Sequence, residues 1–398
     1  MDRLRSLIWY CSGAYEKPFA YSLGDGKPLP NELSTLEAKA LIDKAADFGV
    51  DTFFITSGGD PFMRKDMVEI IEYASDRGMP PYVKTDGWKI DEKKAGSLAR
   101  RGGKLIIGMA GLEAVDNRLR GEGAFKRSVN AAKLCSKEGM SFILSVVNTK
   151  YVVSQIGELV EMAKRIGASS FNLSSLIPQP ICVEEQYAKL APLEPTPAEH
   201  EKELNQIYQL NKERAGRMTV GAYDIFFNRV LSLREPSLKL RSPCSVCNNL
   251  ENNEWLEVLD DGKMYGCSPL RLEFGDIRTS SIGEAMSRIR NSHEIKRLAD
   301  RSNLKGKCGR CEFKMICGGC RAKAFIYSGD PFGQDPLCPY QPREADRALS
   351  AANSPVLAVG KNSNSARTAT PKVEPARRSC GSSPGIEGTA CHTGGPVE

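Results

Sequence analysis

The sequence predicts an α/β protein: a parallel sheet of repeated strand–helix units, then a small cysteine-rich α+β module, then a tail without a core. Three observations predict it. Short apolar runs alternate with segments of helical period from residue 6 to residue 175, the pattern of βα units gathered into a parallel sheet. Eight cysteines crowd into residues 244–338 at short, repeating spacings. From about Glu344 onward Ala, Ser, Pro, Gly and Arg dominate and no apolar period survives, so little apolar burial is available to offset the entropy of ordering.

The elements follow in order. Residues 6–11, SLIWYC, read as a short buried strand. The loop 12–30 is rich in Gly and Pro and has no helical period. Ser34 and Glu37 form a capping box, with Leu36, Ala40, Leu41 and Ala45 at helical spacing after it, and that helix ends near Gly49. DTFFIT (51–56) is the next strand and runs into Ser57-Gly58-Gly59-Asp60-Pro61. Helix 65–77, strand 81–85, helix 91–101, strand 104–109, helix 124–138, strand 142–147, helix 153–166 and strand 171–175 complete six strands joined by five helices. Such sheets bind ligands at the C-terminal ends of their strands. That placement singles out Gly58 to Pro61 and Thr85-Asp86-Gly87, although Gly-Gly-Asp-Pro is also a common turn and Asp86 could simply lead a helix. Residues 195–215 read as a linker helix. WLEVLDDGKMYGC (255–267) reads as a β-hairpin with a type I′ turn on Asp261-Gly262, carrying Cys267 toward the other cysteines.

Composition excludes several classes. At 398 residues there is room for two domains, and 41% hydrophobic with 26% charged residues is ordinary for a globular protein. The net charge of +6 is scattered, with no basic block interleaved with aromatics, so nucleic acid is not an expected partner. No apolar run approaches the length of a membrane span. Arg3 and Arg5 are followed by only a few apolar residues, so no signal peptide is read and a reducing cytoplasm is expected, which disfavours disulfides. With thirteen cysteines against three histidines, any metal would be held by sulfur.

The cysteines carry the chemistry. Thiolate is a soft ligand suited to zinc or iron–sulfur clusters, and a Cys-x2-Cys pair lets two sulfurs grip one centre from a single turn. The chain has Cys244-x2-Cys247, Cys267, Cys308-x2-Cys311-x5-Cys317-x2-Cys320 and Cys338, enough for two complete four-thiolate sites. Gly309, Gly318 and Gly319 free the backbone to approach a bulky core. Ligand type alone leaves zinc and iron–sulfur open. Other residues read as structural: Cys11, Cys135 and Cys182 as core, His200 and His293 as surface, and Cys380, Cys391 and His392 as solvated bystanders. Tyr151, after a strand end, is placed either to face substrate or to pack.

On these residues the chain resembles radical S-adenosylmethionine (radical SAM) enzymes with a C-terminal SPASM iron–sulfur domain, nearest to the branch that makes haem d1 and alternative haem. The resemblance covers about residues 6–342 and is most specific in the cysteine module. It implies a partial (β/α)6 barrel over 1–194, linker helices 195–240, a SPASM domain 241–343 and a disordered tail 344–398. It implies two [4Fe–4S] clusters bound in an interleaved way, one by Cys244, Cys247, Cys267 and Cys320, the other by Cys308, Cys311, Cys317 and Cys338. That each set comes out with four thiolates favours iron–sulfur over zinc. Gly58-Gly59-Asp60-Pro61 looks like the family's glycine-glycine-acid motif, whose carbonyls answer the methionyl ammonium of S-adenosylmethionine, and Asp86 would face the same pocket. The implied partners are a tetrapyrrole substrate, or a peptide in the alternative, and a small electron donor such as ferredoxin or flavodoxin.

The resemblance breaks at the family's defining feature, a Cys-x3-Cys-x2-Cys loop after the first strand. There three thiolates leave one iron open for S-adenosylmethionine. The loop after SLIWYC has no cysteine, and the spacing falls on Ala14, Pro18 and Tyr21. Strand and loop persist without ligands, which marks a degenerate member, or one whose ligands were engineered away, rather than a truncated start. Gly108-Met109-Ala110-Gly111 stands where relatives often have Ser-Leu-Asp-Gly, Asp116-Asn117 where His-Asp is common, and Pro178-Gln179-Pro180 in place of a glycine-rich turn. The expected protein is an iron–sulfur member of a tetrapyrrole-modifying lineage, inactive as a radical generator. The alternatives are a peptide maturase or a non-catalytic iron–sulfur carrier or scaffold.

Overall fold

The strands of this protein, in a computed structural model describing residues 4–20, 26–177, 189–213, 218–240, 244 and 255–343, join into one ten-stranded sheet. β1 (Ser6–Tyr10), β2 (Thr52–Thr56), β3 (Tyr82–Thr85), β4 (Lys104–Met109), β5 (Phe142–Val147) and β6 (Ser170–Ser174) lie side by side in chain order. All neighbouring pairs among them are parallel, with Leu7 opposite Phe53 and Trp9 opposite Ile55 in the first. β7 (Thr219–Tyr223) extends the sheet parallel to β6. On the other side β8 (Trp255–Val258) pairs parallel with β1, followed by the antiparallel strands β9 (Lys263–Tyr265) and β10 (Glu273–Asp276). The expected six-stranded core is therefore present, with strands added at both edges.

Helices cover the sheet because each carries an apolar stripe. α1 (Thr35–Phe48) starts at the Ser34–Glu37 capping box and stops at Gly49, whose φ of 82° only glycine adopts cheaply. Its buried stripe is Ala38, Leu41, Ile42 and Ala45. Leu36, expected on that stripe, is 79% exposed, and Ala40 is exposed as well; the true phase runs through Ala38 and Ile42. α2 (Met67–Asp76) and α3 (Glu92–Arg100) follow as expected. The β4–β5 connection holds two helices, α4 (Glu113–Arg120) and α5 (Ala124–Lys137), separated at Gly121 and Gly123, so among the described residues six helices rather than five join the strands. α6 (Ile156–Arg165) completes them.

The region read as a linker contributes α7 (Pro197–Glu213), β7 and α8 (Phe227–Arg234). The hairpin forms, but its turn is not type I′. Gly262 N donates to Leu259 O and Leu259 N to Lys263 O, and Gly262 alone has positive φ, 84°. A three-residue loop with glycine in the left-handed position gives this geometry; type I′ would need Asp261 there too. Beyond it lie α9 (Ile282–Asn291), α10 (His293–Ala299), α11 (Gly306–Arg310) and α12 (Arg321–Ser328). The main apolar core runs from Leu7 and Trp9 through Ile107 and Leu144 to Leu256 and Ile289. Cys11 and Cys135 are buried in it, as expected. Cys182, Pro178-Gln179-Pro180, Cys247 and the tail 344–398 with Cys380, Cys391 and His392 lie outside the described residues.

Candidate metal centre and barrel mouth

At the C-terminal end of β2, Asp60 turns inward. Its Oδ1 accepts from Phe62 N (2.8 Å), and its Oδ2 accepts from Thr85 Oγ1 (2.6 Å) and Asp86 N (2.9 Å). The carboxylate thus ties β2 to β3 and caps the one-turn helix that begins at Pro61. Asp86 is 6% exposed; Oδ1 accepts from Trp88 N, while Oδ2 is a buried acceptor without a partner among the described residues. Burial first, and the charge of Asp60 second, push its carboxyl up to about 9. Beside it the Arg127 guanidinium stacks on Trp88, 3.1 Å from the ring centroid.

The loop after β1 rests on the same edge. Gly58 N donates to Ser12 O and Asp60 N to Ala14 O, both at 2.9 Å. A Cβ at Gly59 would stand 1.9 Å from the Ala14 oxygen, so glycine is required there by the chain's own loop. Glu32 Oε1 braces that loop, accepting from Ser12 Oγ, Gly13 N and Leu29 N at 2.8–3.0 Å. Further along, Glu16 pairs with Lys89 at 2.5 Å and Ala20 N donates to Leu119 O at 2.7 Å. Hydrogen bonds hold this loop in place.

A radical-generating cluster does not fit here. The Ala14 and Pro18 side chains offer no donor atom, and Tyr21 lies outside the described residues and is in any case no thiolate. Cys11 is fully buried, and burial pushes its thiol well above the usual range. The neighbouring departures from the family pattern have a structural use. Ala110 N donates to Asp116 Oδ1 (2.6 Å), and Asp116 is gripped by Arg120 through two bonds of 2.9 and 2.8 Å. Arg120 also donates to Ser128 Oγ, whose hydroxyl reaches Gly108 O and Asp86 O. This buried ring locks the ends of β3 and β4 together.

The C-terminal module is built differently. Cys308 on α11, Cys311, Cys317 and Cys338 line one recess, together with Phe226, Arg229, Lys307 and Tyr340. Gly318 and Gly319 sit at φ 69° and 70°, and a Cβ on Gly319 would come within 3.0 Å of Cys308 Sγ. Asp335 N donates to Cys308 Sγ at 3.4 Å, Arg321 Nη2 to the same sulfur at 3.7 Å, and Gly319 N to Cys317 Sγ at 3.5 Å. Burial raises the Cys311 thiol to about 11 and Cys317 further. Thiols so disfavoured as anions ionise readily only beside a bound cation.

A second group forms around Cys267, which leads a 3₁₀ turn directly after β9. Burial raises its thiol well above the usual range, and Glu257, Cys244 and Cys320 lie close enough to raise it further. Cys320 caps α12, its Sγ accepting from Lys323 N at 3.5 Å, and burial with nearby Asp335 lifts it to about 11. Cys244, Cys267 and Cys320 thus come together, and Cys308, Cys311, Cys317 and Cys338 share one recess. Among the described residues, no three His, Cys, Asp or Glu side chains close around a single ion.

His293 is exposed, as expected. His200 is not a surface residue: it is 3% exposed, with Nε2 3.0 Å from Asp224 Oδ2. Burial raises the Asp224 carboxyl, but His200, Lys323 and the Ser175 hydroxyl together outweigh it and hold the group well below its ordinary value. Glu203, one turn on, is fully buried and pushed up to about 7 by burial. The signal was in the sequence: His200, Leu204 and Ile207 repeat at i, i+4, i+7, the inward stripe of α7. Tyr151 is half-buried and packs under the Arg118 guanidinium, 4.7 Å away.

A parallel βα sheet with polar residues at its strand ends, followed by a module in which cysteines gather, is the plan of a ligand-binding α/β protein. The family model of the radical SAM superfamily matches residues 9–163 of the chain. It is 29% identical over 328 residues to the AdoMet-dependent heme synthase of Nitratidesulfovibrio vulgaris, spanning 80% of this chain and 86% of that one. The protein of the same name from Methanosarcina barkeri is 29% identical over 323 residues, spanning 78% and 88%. In fold it is similar to Streptococcus suis SuiB bound to precursor peptide SuiA, with TM-score 0.68 at 16% identity over 85% of this chain and 77% of that one. The expected partial barrel is borne out by the family match and by this likeness. The family's cofactors are a [4Fe–4S] cluster and S-adenosylmethionine. No helix among the described residues is long and apolar enough to cross a membrane.

Proposed function

We propose that this chain is a haem-related radical SAM/SPASM protein that keeps two distal [4Fe–4S] clusters and has given up radical generation. Cys308, Cys311, Cys317 and Cys338 would hold one cluster; Cys244, Cys247, Cys267 and Cys320 would hold the other. The recess shared by four cysteines carries this reading. Sulfurs lining one recess, with amide and guanidinium donors aimed at two of them, suit a polynuclear core. Such clusters would supply one-electron transfer, and the chain's own residues fix the cysteines, donate to their sulfur and shield the site.

The barrel supports the other half of the reading. The loop that would present the radical-generating cluster offers no thiolate and is pinned to the Gly58–Asp60 edge by its own backbone. The residues left for S-adenosylmethionine are the backbone at Gly58 to Pro61 and the unpartnered Asp86 oxygen, and no cleavage step is assigned to them. A tetrapyrrole is the favoured ligand, because identity to the heme synthases is the higher, 29% over 328 residues. The peptide alternative rests on a weaker sequence similarity, 25% over 336 residues to a PqqA peptide cyclase, and on fold likeness. The test is anaerobic reconstitution, then an assay for 5′-deoxyadenosine with S-adenosylmethionine and a titration with an iron porphyrin followed by absorbance. The expected result is no 5′-deoxyadenosine and a saturable shift of the porphyrin band. Stoichiometric 5′-deoxyadenosine would overturn the first half, and absence of any shift the second.

A further inference from the structure

We propose that Lys84 anchors a carboxylate of the ligand inside the curl of the sheet, so that the hollow there takes a large, flat, mostly apolar molecule with carboxylate side chains. This rests on the tetrapyrrole reading above and assigns a residue to it.

The hollow follows from strand parity and one ring contact. Successive strand residues point to opposite faces. Leu7, Phe53, Val83, Leu105 and Leu144 face the helices and join the main core. Their neighbours Ile8, Phe54, Lys84, Ile106 and Ile143 therefore share the other face, where each keeps some solvent exposure. That face is concave. Six strands separate β7 from β8 in the sheet, yet the Tyr223 ring at the end of β7 lies 6.5 Å from the Trp255 ring at the start of β8. The sheet bends far enough to bring its two sides together, and this second face lines the inside of the bend.

Lys84 is the odd residue in that lining. Along β3, Val83 and Thr85 are buried while Lys84 is exposed. A lysine on an outer surface keeps its ordinary pKa, but here the surrounding protein desolvates the ammonium and lowers it. A side chain that touches water and is still desolvated stands in a hollow. Among the described residues Lys84 Nζ has neither an ion pair nor a hydrogen bond, and no carboxylate shifts it. Two other charged residues on this face are already engaged. Lys104 Nζ lies over the Tyr82 ring, 5.0 Å from its centroid, and donates to Tyr82 Oη at 3.0 Å. Glu257 accepts from Ser268 N at 2.8 Å and from the Ser268 hydroxyl. Lys84 thus offers an unanswered positive charge beside the apolar side chains of Phe54, Ile106 and Ile143. In so desolvated a place a carboxylate is held more firmly than at an outer surface. A tetrapyrrole with acidic side chains has this distribution of groups, an apolar plane with anions at its rim. A peptide backbone would leave amides facing those apolar side chains without partners.

The test is binding of iron deuteroporphyrin, which bears two carboxylates, and of its dimethyl ester, which bears none. Both are titrated into the full chain and its variants in the same dilute detergent and followed by absorbance. The unmutated chain should bind the acid about tenfold more tightly than the ester. Lys84→Met should weaken the acid by that factor and leave the ester as it was, and Lys84→Arg should keep the preference. A merely structural lysine would move both affinities together. Equal binding of acid and ester by the unmutated chain, a Lys84→Met chain that keeps the preference, or parallel loss of both ligands in that variant would overturn the inference while tetrapyrrole binding stands. If neither porphyrin binds the unmutated chain, the tetrapyrrole reading falls and the inference falls with it.

Discussion

The loop after β1 and the recess around Cys308 solve the same problem in opposite ways. Both are stretches at which the fold expects an inorganic core. In the loop, the core's place is taken by the chain itself: Glu32 collects three donors, and Ala14 lends its carbonyl to Asp60 N. In the recess, four cysteines line a cavity that the chain leaves open, with glycines keeping the backbone clear. On the proposed reading, the difference is that a barrel can shed a cofactor once hydrogen bonds replace it as the brace. A module whose centre is sulfur has no such substitute.

Cys317→Ala should have the largest effect, removing about four irons and the matching share of visible absorbance. The same substitution at Cys11, buried but outside both groups, should leave iron unchanged. The reverse experiment, Ala14→Cys with Pro18→Cys and Tyr21→Cys, should raise iron by about four per chain if only ligands are missing from the loop. Unchanged iron would show that the brace now excludes a cluster. Arg120→Ala leaves Asp116 buried and unpaired, and should cost the barrel about 3–5 kcal/mol in denaturant unfolding, with the iron content of surviving folded protein intact.

Smaller effects follow. Asp86 is raised to about 9 in the fold against roughly 4 unfolded, so it stays protonated where the unfolded chain would ionise, and its contribution to stability falls as pH rises through that window. Asp86→Asn should therefore raise the thermal midpoint at pH 8, with the gain shrinking toward pH 4. An equal gain at both values would contradict the assignment. Ser34→Ala breaks the capping box of α1 and should cost about 1 kcal/mol with no change in iron.

Much of this was legible in the sequence. The alternation of apolar runs with helical segments foretold β1 to β6, because parallel strands are buried on both faces and read as continuous apolar stretches. Cysteine spacing foretold which sulfurs gather, since short spacers tie ligands to one turn. Other features were out of reach. The pairing of β8 with β1 joins residues some 250 positions apart, and no local pattern records it. α4 was missed because EAVDNRLR is mostly polar and is buried chiefly through Asp116, Leu119 and Arg120. His200 was misread because charged neighbours on α7 masked its place on the inward stripe. Asp60 drew notice as a ligand candidate, yet its carboxylate is consumed by three donors, a use that depends on β3 lying next to β2.

On the proposed reading, this chain holds two four-iron centres at its C-terminal end and none at its barrel mouth. Iron and acid-labile sulfide counted per chain after anaerobic reconstitution test it most directly. The expected count is about eight of each. A count near twelve would return a third cluster to the barrel, and a colourless protein carrying zinc would remove both from the module.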